Sequence, residues 1–98
     1  MKRVRKFEFY PELWLSDEHV MPMTLAEKGL YFSLLIHCFE YGSAPDDAGE
    51  YASLIGMYKR RVREAWPVVR RRFLATKEPG RMIYKPASFI GVVTDGTA

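Results

Sequence analysis

The sequence predicts a mainly α fold with a small β-hairpin, an α+β domain of three helices followed by that hairpin. Three observations predict it. One segment carries a complete helix-start signal and stops at a glycine, and a second carries a single apolar stripe with a basic back. The apolar period then shortens around a Pro-Gly turn. A chain of 98 residues has room for one core and not for two. Two Trp, six Tyr and six Phe supply much of it.

Taken in order, the basic residues Lys2, Arg3, Arg5 and Lys6 precede Phe7-Glu8-Phe9-Tyr10, which alternates like a short strand and stops at Pro11. Leu13-Trp14-Leu15 is a compact apolar anchor that reads as a single helical turn before Ser16-Asp17. Thr24 followed by Glu27 has capping-box spacing, so the first long helix should run from Leu25 to about Tyr41 and end at Gly42. Its apolar residues fall into two stripes, Leu25, Phe32, Ile36 and Phe39 against Leu30, Leu34 and Tyr41. Such a helix is expected to be the buried hub of the fold. Gly29 within it lowers helix propensity by about 1 kcal/mol and is expected to permit a close helix contact.

Ser43 to Asp47 reads as a turn, with Asp46 or Asp47 capping a short helix from Ala48 to Ile55 that ends at Gly56. A third helix starts near Lys59. Its stripe of Val62, Ala65, Trp66, Val69 and Phe73 falls on one face, and the opposite face is almost wholly basic. Pro67 is expected to kink or split this helix. Phe73 to Thr76, a turn at Lys77-Glu78-Pro79-Gly80, and Arg81 to Lys85 form the hairpin. Phe89 to Val93 reads as a further strand. It should either pair with a second copy of the chain in a homodimer or cover the core beside the first strand.

The net charge of +3 conceals a strong segregation. Residues 7–56 carry −8, whereas residues 57–85 carry +8. Helix, short helix, glycine-containing turn, basic helix and hairpin follow one another in the order of a winged helix-turn-helix, with Lys77 to Arg81 as the wing. The predicted organisation is a basic arm over residues 1–8, the winged-helix domain over 9–86 and a strand-like tail over 87–98. In such a fold the early part of the recognition helix reaches base edges. The candidates there are Tyr58, Lys59, Arg60, Arg61 and Arg63. Arg70, Arg71 and Arg72 lie farther from the helix start and read equally as phosphate contacts, plain surface or base readers, and Lys77 and Arg81 of the wing are candidates for backbone contacts. The expected partner is duplex DNA. A protein partner is the alternative, because a basic winged helix can also occupy an acidic protein surface.

Other function classes find little in the sequence. Cys38 is the single cysteine, so no internal disulfide forms and no cysteine-based zinc site is expected. It lies in an apolar run and reads as core. His37 reads as a core or boundary histidine, and Asp17, Glu18 and His19 are too close in sequence to make a convincing metal site. No phosphate loop, nucleophile elbow or paired-carboxylate motif is present, so neither catalysis nor a cofactor is expected. No signal peptide or membrane span is evident, and a cytoplasmic location is expected.

Several stretches resemble the YdaU-like domain of phage and prophage proteins. They are Tyr10 to Asp17, Met23 to Leu35, Tyr41 to Asp47, Ala52 to Gly56, and Ala65-Trp66-Pro67-Val68-Val69 with Phe73. The resemblance spans roughly residues 9–85. It implies a winged-helix form and a place at the N-terminus of phage replication-initiation proteins, with binding of duplex or origin DNA beside a helicase loader. Members of that family commonly continue into a long linker and a further segment. A chain of this span is therefore expected to be part of a longer replication protein, a stand-alone regulator, or a small module that binds another protein.

Overall fold

The computed structural model describes residues 5–94. Its elements are β1 (Arg5–Phe9), α1 (Pro11–Leu15), α2 (Leu25–Tyr41), β2 (Ala44–Pro45), α3 (Ala48–Ile55), α4 (Lys59–Arg70), β3 (Phe73–Ala75), β4 (Arg81–Tyr84) and β5 (Ile90–Thr94). This is a small α+β protein with four helices and antiparallel sheets among the described residues. None of those helices is long and apolar enough to cross a membrane. The chain divides into two compact units, one of the described residues up to Pro22 with those from Pro86 onward, the other Met23–Lys85.

In the first unit β1 pairs antiparallel with β5, with Arg5 opposite Thr94 and Phe9 opposite Ile90. Of the two expectations for the tail strand, pairing beside the first strand is the one observed. The basic arm expected over residues 1–8 enters β1 from Arg5; Lys2 and Arg3 lie outside the described residues, as does the end of the tail from Asp95. Pro11 begins α1, where a missing N–H leaves no intrahelical bond unmade. The rings of Phe9, Trp14 and Phe89 meet pairwise, with centroids 5.5, 6.0 and 5.1 Å apart. Gly91 stands opposite Glu8, and a Cβ there would lie 3.0 Å from the Tyr10 hydroxyl and 3.1 Å from Glu8 Oε1. Glycine therefore lets Tyr10 donate to Glu8 across that spot at 2.9 Å.

The second unit is built on caps that the sequence announces. Thr24 accepts from the Glu27 N–H at 3.1 Å and Glu27 returns the bond to the Thr24 N–H at 2.8 Å, closing a capping box on α2. Gly42, at φ 87°, ends that helix. Asp47 caps α3 by accepting from the Glu50 N–H at 2.8 Å, and Gly56 closes it at φ 72°. Strands β3 and β4 form the expected hairpin, with Leu74 opposite Ile83. One strand is new. Ala44 and Pro45, read from sequence as part of a turn, pair with Met82 and Arg81, giving a three-stranded sheet in the order β2-β4-β3.

The packing corrects three expectations. The buried residues of α2 are Leu30, Tyr31, Leu34, Leu35 and Cys38, a single broad stripe, whereas Leu25 is 87% and Tyr41 69% exposed. Ile36 is exposed too, and Phe32 and Phe39 are half-buried, Phe39 with its ring stacked on Tyr84. Apolar residues lie on both sides of this helix, so periodicity alone could not choose the side that packs. Gly29 makes no close helix contact, because a Cβ built there would meet nothing within 4 Å. Of the kink or split expected at Pro67, the split does not occur: α4 continues as one helix through that exposed residue. The Arg63 carbonyl, the normal partner of an N–H at that position, loses its intrahelical bond near solvent and not in the core.

The core of this unit joins Val62, Ala65 and Val69 of α4 to the stripe of α2, with Trp66 half-buried at its margin. Phe73 packs edge-on against Tyr31 with centroids 5.8 Å apart. Tyr51 of α3 is fully buried between His37 and Trp66. Its hydroxyl meets Ser33 Oγ at 2.5 Å, and burial pushes the phenol pKa above its ordinary value. Cys38 is buried, its thiol pushed up to about 11 by desolvation.

Asp46 ties the pieces together. Its N–H donates to the Gly80 carbonyl at 2.9 Å, fixing the hairpin turn to the entry of α3. Its carboxylate accepts from Arg70 Nε at 2.7 Å and Nη2 at 2.9 Å, and Arg70 Nη1 donates to the Phe73 carbonyl at 2.8 Å. Both side chains of this bidentate pair are largely withdrawn from water, at 30% and 24% exposed.

Two stability measurements check this packing. Ser33→Ala should lower the unfolding free energy by about 1–2 kcal/mol by orphaning the Tyr51 hydroxyl, and adding Tyr51→Phe should recover part of the loss. Asp46→Asn should lower it by about 1–2 kcal/mol in urea denaturation, while Asp47→Asn, an equivalent cap, should change it by less than about 0.5 kcal/mol. Equal effects at the two aspartates would rule out a special structural role for the Asp46–Arg70 pair.

Candidate nucleic-acid interface

The residues of α4 divide by their angle around the helix axis, successive positions being about 100° apart. Val62, Ala65, Trp66 and Val69 point towards the core. Arg60 and Arg71 lie almost opposite them, facing solvent. Lys59, Arg63 and Arg70 share the flank towards α3, and Arg61 lies on the other flank. Contacts agree with this sorting: a Cβ built at Gly49 of α3 would stand 3.2 Å from Arg63 Nη2 and 3.9 Å from Lys59 Cδ. The absent side chain at Gly49 lets both cations lie close over the first turn of α3.

The structure separates the candidate residues into two groups. Tyr58, Lys59, Arg60, Arg61 and Arg63 are brought together on the α3–α4 turn and the first two turns of α4, and all five are exposed. Tyr58 is 79% exposed. Among the described residues no hydrogen bond or ion pair engages the four cationic side chains. Arg71 at the end of α4 and Lys77 in the hairpin turn are also exposed but stand apart from this cluster. Arg70 and Arg81 belong to the interior scaffold instead. Arg70 is held by Asp46 and the Phe73 carbonyl, and the Asp46 hydrogen bond raises its pKa further. Arg81 donates from Nε to Ser43 Oγ at 2.9 Å and from Nη2 to the Ser43 carbonyl at 3.1 Å.

One feature of the site was not anticipated. The N-cap of α4, Tyr58, gives no side-chain cap, and the helix carries no acidic residue in its first turn. Its free N–H groups and the positive end of its dipole therefore lie among Lys59, Arg60, Arg61 and Arg63. Cations at a helix N-terminus are disfavoured by about 0.3–1 kcal/mol each at the surface, and an anion placed there reverses the sign. The signal was present in the sequence as the absence of Ser, Thr, Asp or Asn before Lys59, in contrast to Thr24 and Asp47. Glu64 is the only acidic residue of the helix, one turn beyond Arg60.

The hairpin turn is compact. Thr76 Oγ1 donates to the Glu78 carbonyl at 3.0 Å and accepts from the Glu78 N–H at 3.2 Å, while Gly80 takes φ 77°. Elsewhere, Asp17 Oδ1 accepts from the N–H groups of His19 and Val20, at 2.8 and 3.1 Å, so this carboxylate shapes a turn. Among the described residues no three His, Cys, Asp or Glu side chains are grouped to hold a metal ion.

No protein-family model, no curated protein and no solved structure matches this chain.

Proposed function

We propose that the Met23–Lys85 unit is a winged helix-turn-helix that binds nucleic acid, duplex DNA in the first instance, through the start of α4. The observation that carries this reading is the sorting of the cations. The fold consumes Arg70 and Arg81 in internal hydrogen bonds and leaves Lys59, Arg60, Arg61 and Arg63 exposed around an uncapped helix N-terminus. Such a cluster suits phosphate oxygens, and arginine can also grip guanine with two hydrogen bonds.

The topology supports the fold half of the proposal. Helices α3 and α4 are joined by Gly56–Tyr58, with the Met57 N–H returning to the Ala52 carbonyl at 2.9 Å, a length and a glycine that suit a helix-turn-helix. The order α2, β2, α3, α4, β3, β4 with strands arranged β2-β4-β3 suits a winged helix, in which a strand between the first two helices joins the wing. Arg71 and Lys77 would then add backbone contacts. The residues that resemble the YdaU-like domain support a role in phage replication initiation or its regulation.

A second reading has its own observation. Leu54, Met57 and Tyr58 are 59%, 50% and 79% exposed beside the cations. Apolar side chains with a basic rim suit a protein surface that is acidic at its edge. On this reading the unit is a phage-encoded module that binds a host protein or nucleoprotein.

Anisotropy of a labelled random-sequence duplex discriminates the two. Neutralising three or four phosphates should weaken binding about 40- to 150-fold between about 50 and about 200 mM salt. Arg60→Ala with Arg63→Ala should weaken binding and reduce the slope of log K against log salt by about 2, with the fold intact. An absence of binding at low salt would overturn the nucleic-acid reading in favour of the protein-binding one.

A further inference from the structure

Beside the basic cluster, and wholly within the Met23–Lys85 unit, lies an apolar groove of about 400 Å³. One wall is Ala26, Gly29 and Leu30 of α2, the other is Val62 and Ala65 of α4, and Ile55 and Met57 close one end. Arg61 is the one charged residue among those lining it. Arg61 also lines two neighbouring hollows, one with Gly56–Tyr58 and one with Thr24, Glu27 and Glu64. Ser33, the remaining polar side chain in the wall, is occupied by Tyr51.

Gly29 supplies the second observation. Glycine inside a helix is unfavourable by about 1 kcal/mol relative to alanine. Close packing or a left-handed backbone would explain its use, and neither applies: a Cβ at Gly29 meets nothing within 4 Å, and its φ is not among the positive ones. What the glycine does is leave the groove open.

We propose that this groove binds a small apolar monoanion, an aryl- or alkyl-carboxylic acid whose hydrocarbon part lies between α2 and α4 and whose carboxylate pairs with Arg61. The volume falls in the range of small-molecule sites, roughly 300–1,000 Å³. The walls suit a hydrocarbon group, and the single cation sets both the charge and the orientation of the ligand. The site shares Arg61 with the proposed nucleic-acid surface, but its apolar walls and Gly29 serve no phosphate, so carboxylate binding and DNA binding can fail separately.

The test is isothermal titration calorimetry of the full chain with 2-naphthaleneacetate and with its neutral counterpart 2-naphthaleneethanol. Saturable one-to-one binding of the acid is expected, about fivefold or more tighter than the alcohol, a modest preference because Arg61 is exposed. Arg61→Ala should abolish that preference while retaining the alcohol. Gly29→Leu should abolish binding of both ligands with the melting temperature maintained or raised, because leucine is the better helix former and its side chain fills the groove. Ala26→Leu, filling the same wall from the preceding turn, should act likewise and serves if Gly29→Leu fails to fold. The proposal is overturned if the acid shows no saturable binding, if the folded filled variants bind as well as the parent, or if Arg61→Ala keeps the preference for the acid.

Discussion

The Asp46 carboxylate and the Arg70 guanidinium meet through two hydrogen bonds between residues 24 positions apart, and the arrangement of the helical unit follows from that contact. Arg70 closes α4 and holds the first residue of β3 through its carbonyl. Asp46 leads into α3 and holds the hairpin through the Gly80 carbonyl. One partly buried ion pair thus fixes the end of α4, the start of α3 and the hairpin at once. A lone arginine at that depth would be an unpaired charge in a poorly solvated place, so the two residues are interdependent in a way that surface pairs are not.

The same pair defines the character of the exposed cations. With Arg70 and Arg81 consumed by the scaffold, four exposed cations of residues 57–85 gather at the opening of α4, while Arg71 and Lys77 are exposed elsewhere. Four cations beside an uncapped helix start repel one another and oppose the helix dipole. The helix tolerates this because Val62, Ala65 and Val69 anchor it from the other side. Stability is supplied by one face and withheld from the other, a local conflict between charge placement and helix formation.

Much of the frame was legible in the sequence. Thr24 with Glu27, Asp47, Gly42 and Gly56 mark helix ends through short-range chemistry, and the stripe of α4 and the Pro-Gly hairpin turn are equally local signals. What escaped depends on distant partners. Ala44 and Pro45 are too few to show a strand period, and only Met82 and Arg81, far along the chain, make them one. Arg70 and Arg81 look like any other basic residue until Asp46 and Ser43 are placed beside them. Gly29 suggested close packing, yet the neighbouring helix leaves a groove there. In α2 both sides are apolar, so the choice of Leu30, Leu34 and Cys38 for burial belongs to the tertiary structure alone.

The pairing of β1 with β5 has a mechanical corollary. Arg5 and Thr94 are partners, so the backbone enters and leaves the ladder side by side. Tension applied between those two points does not shear the ladder as a whole. It loads one hydrogen-bonded pair at a time, from Arg5–Thr94 inwards to Phe9–Ile90, as a zipper opens from its slider. Resistance to stretching is then set by whichever single pair stands at the opening front, and the chain between Phe9 and Ile90 bears no load until the Phe9–Ile90 pair has parted.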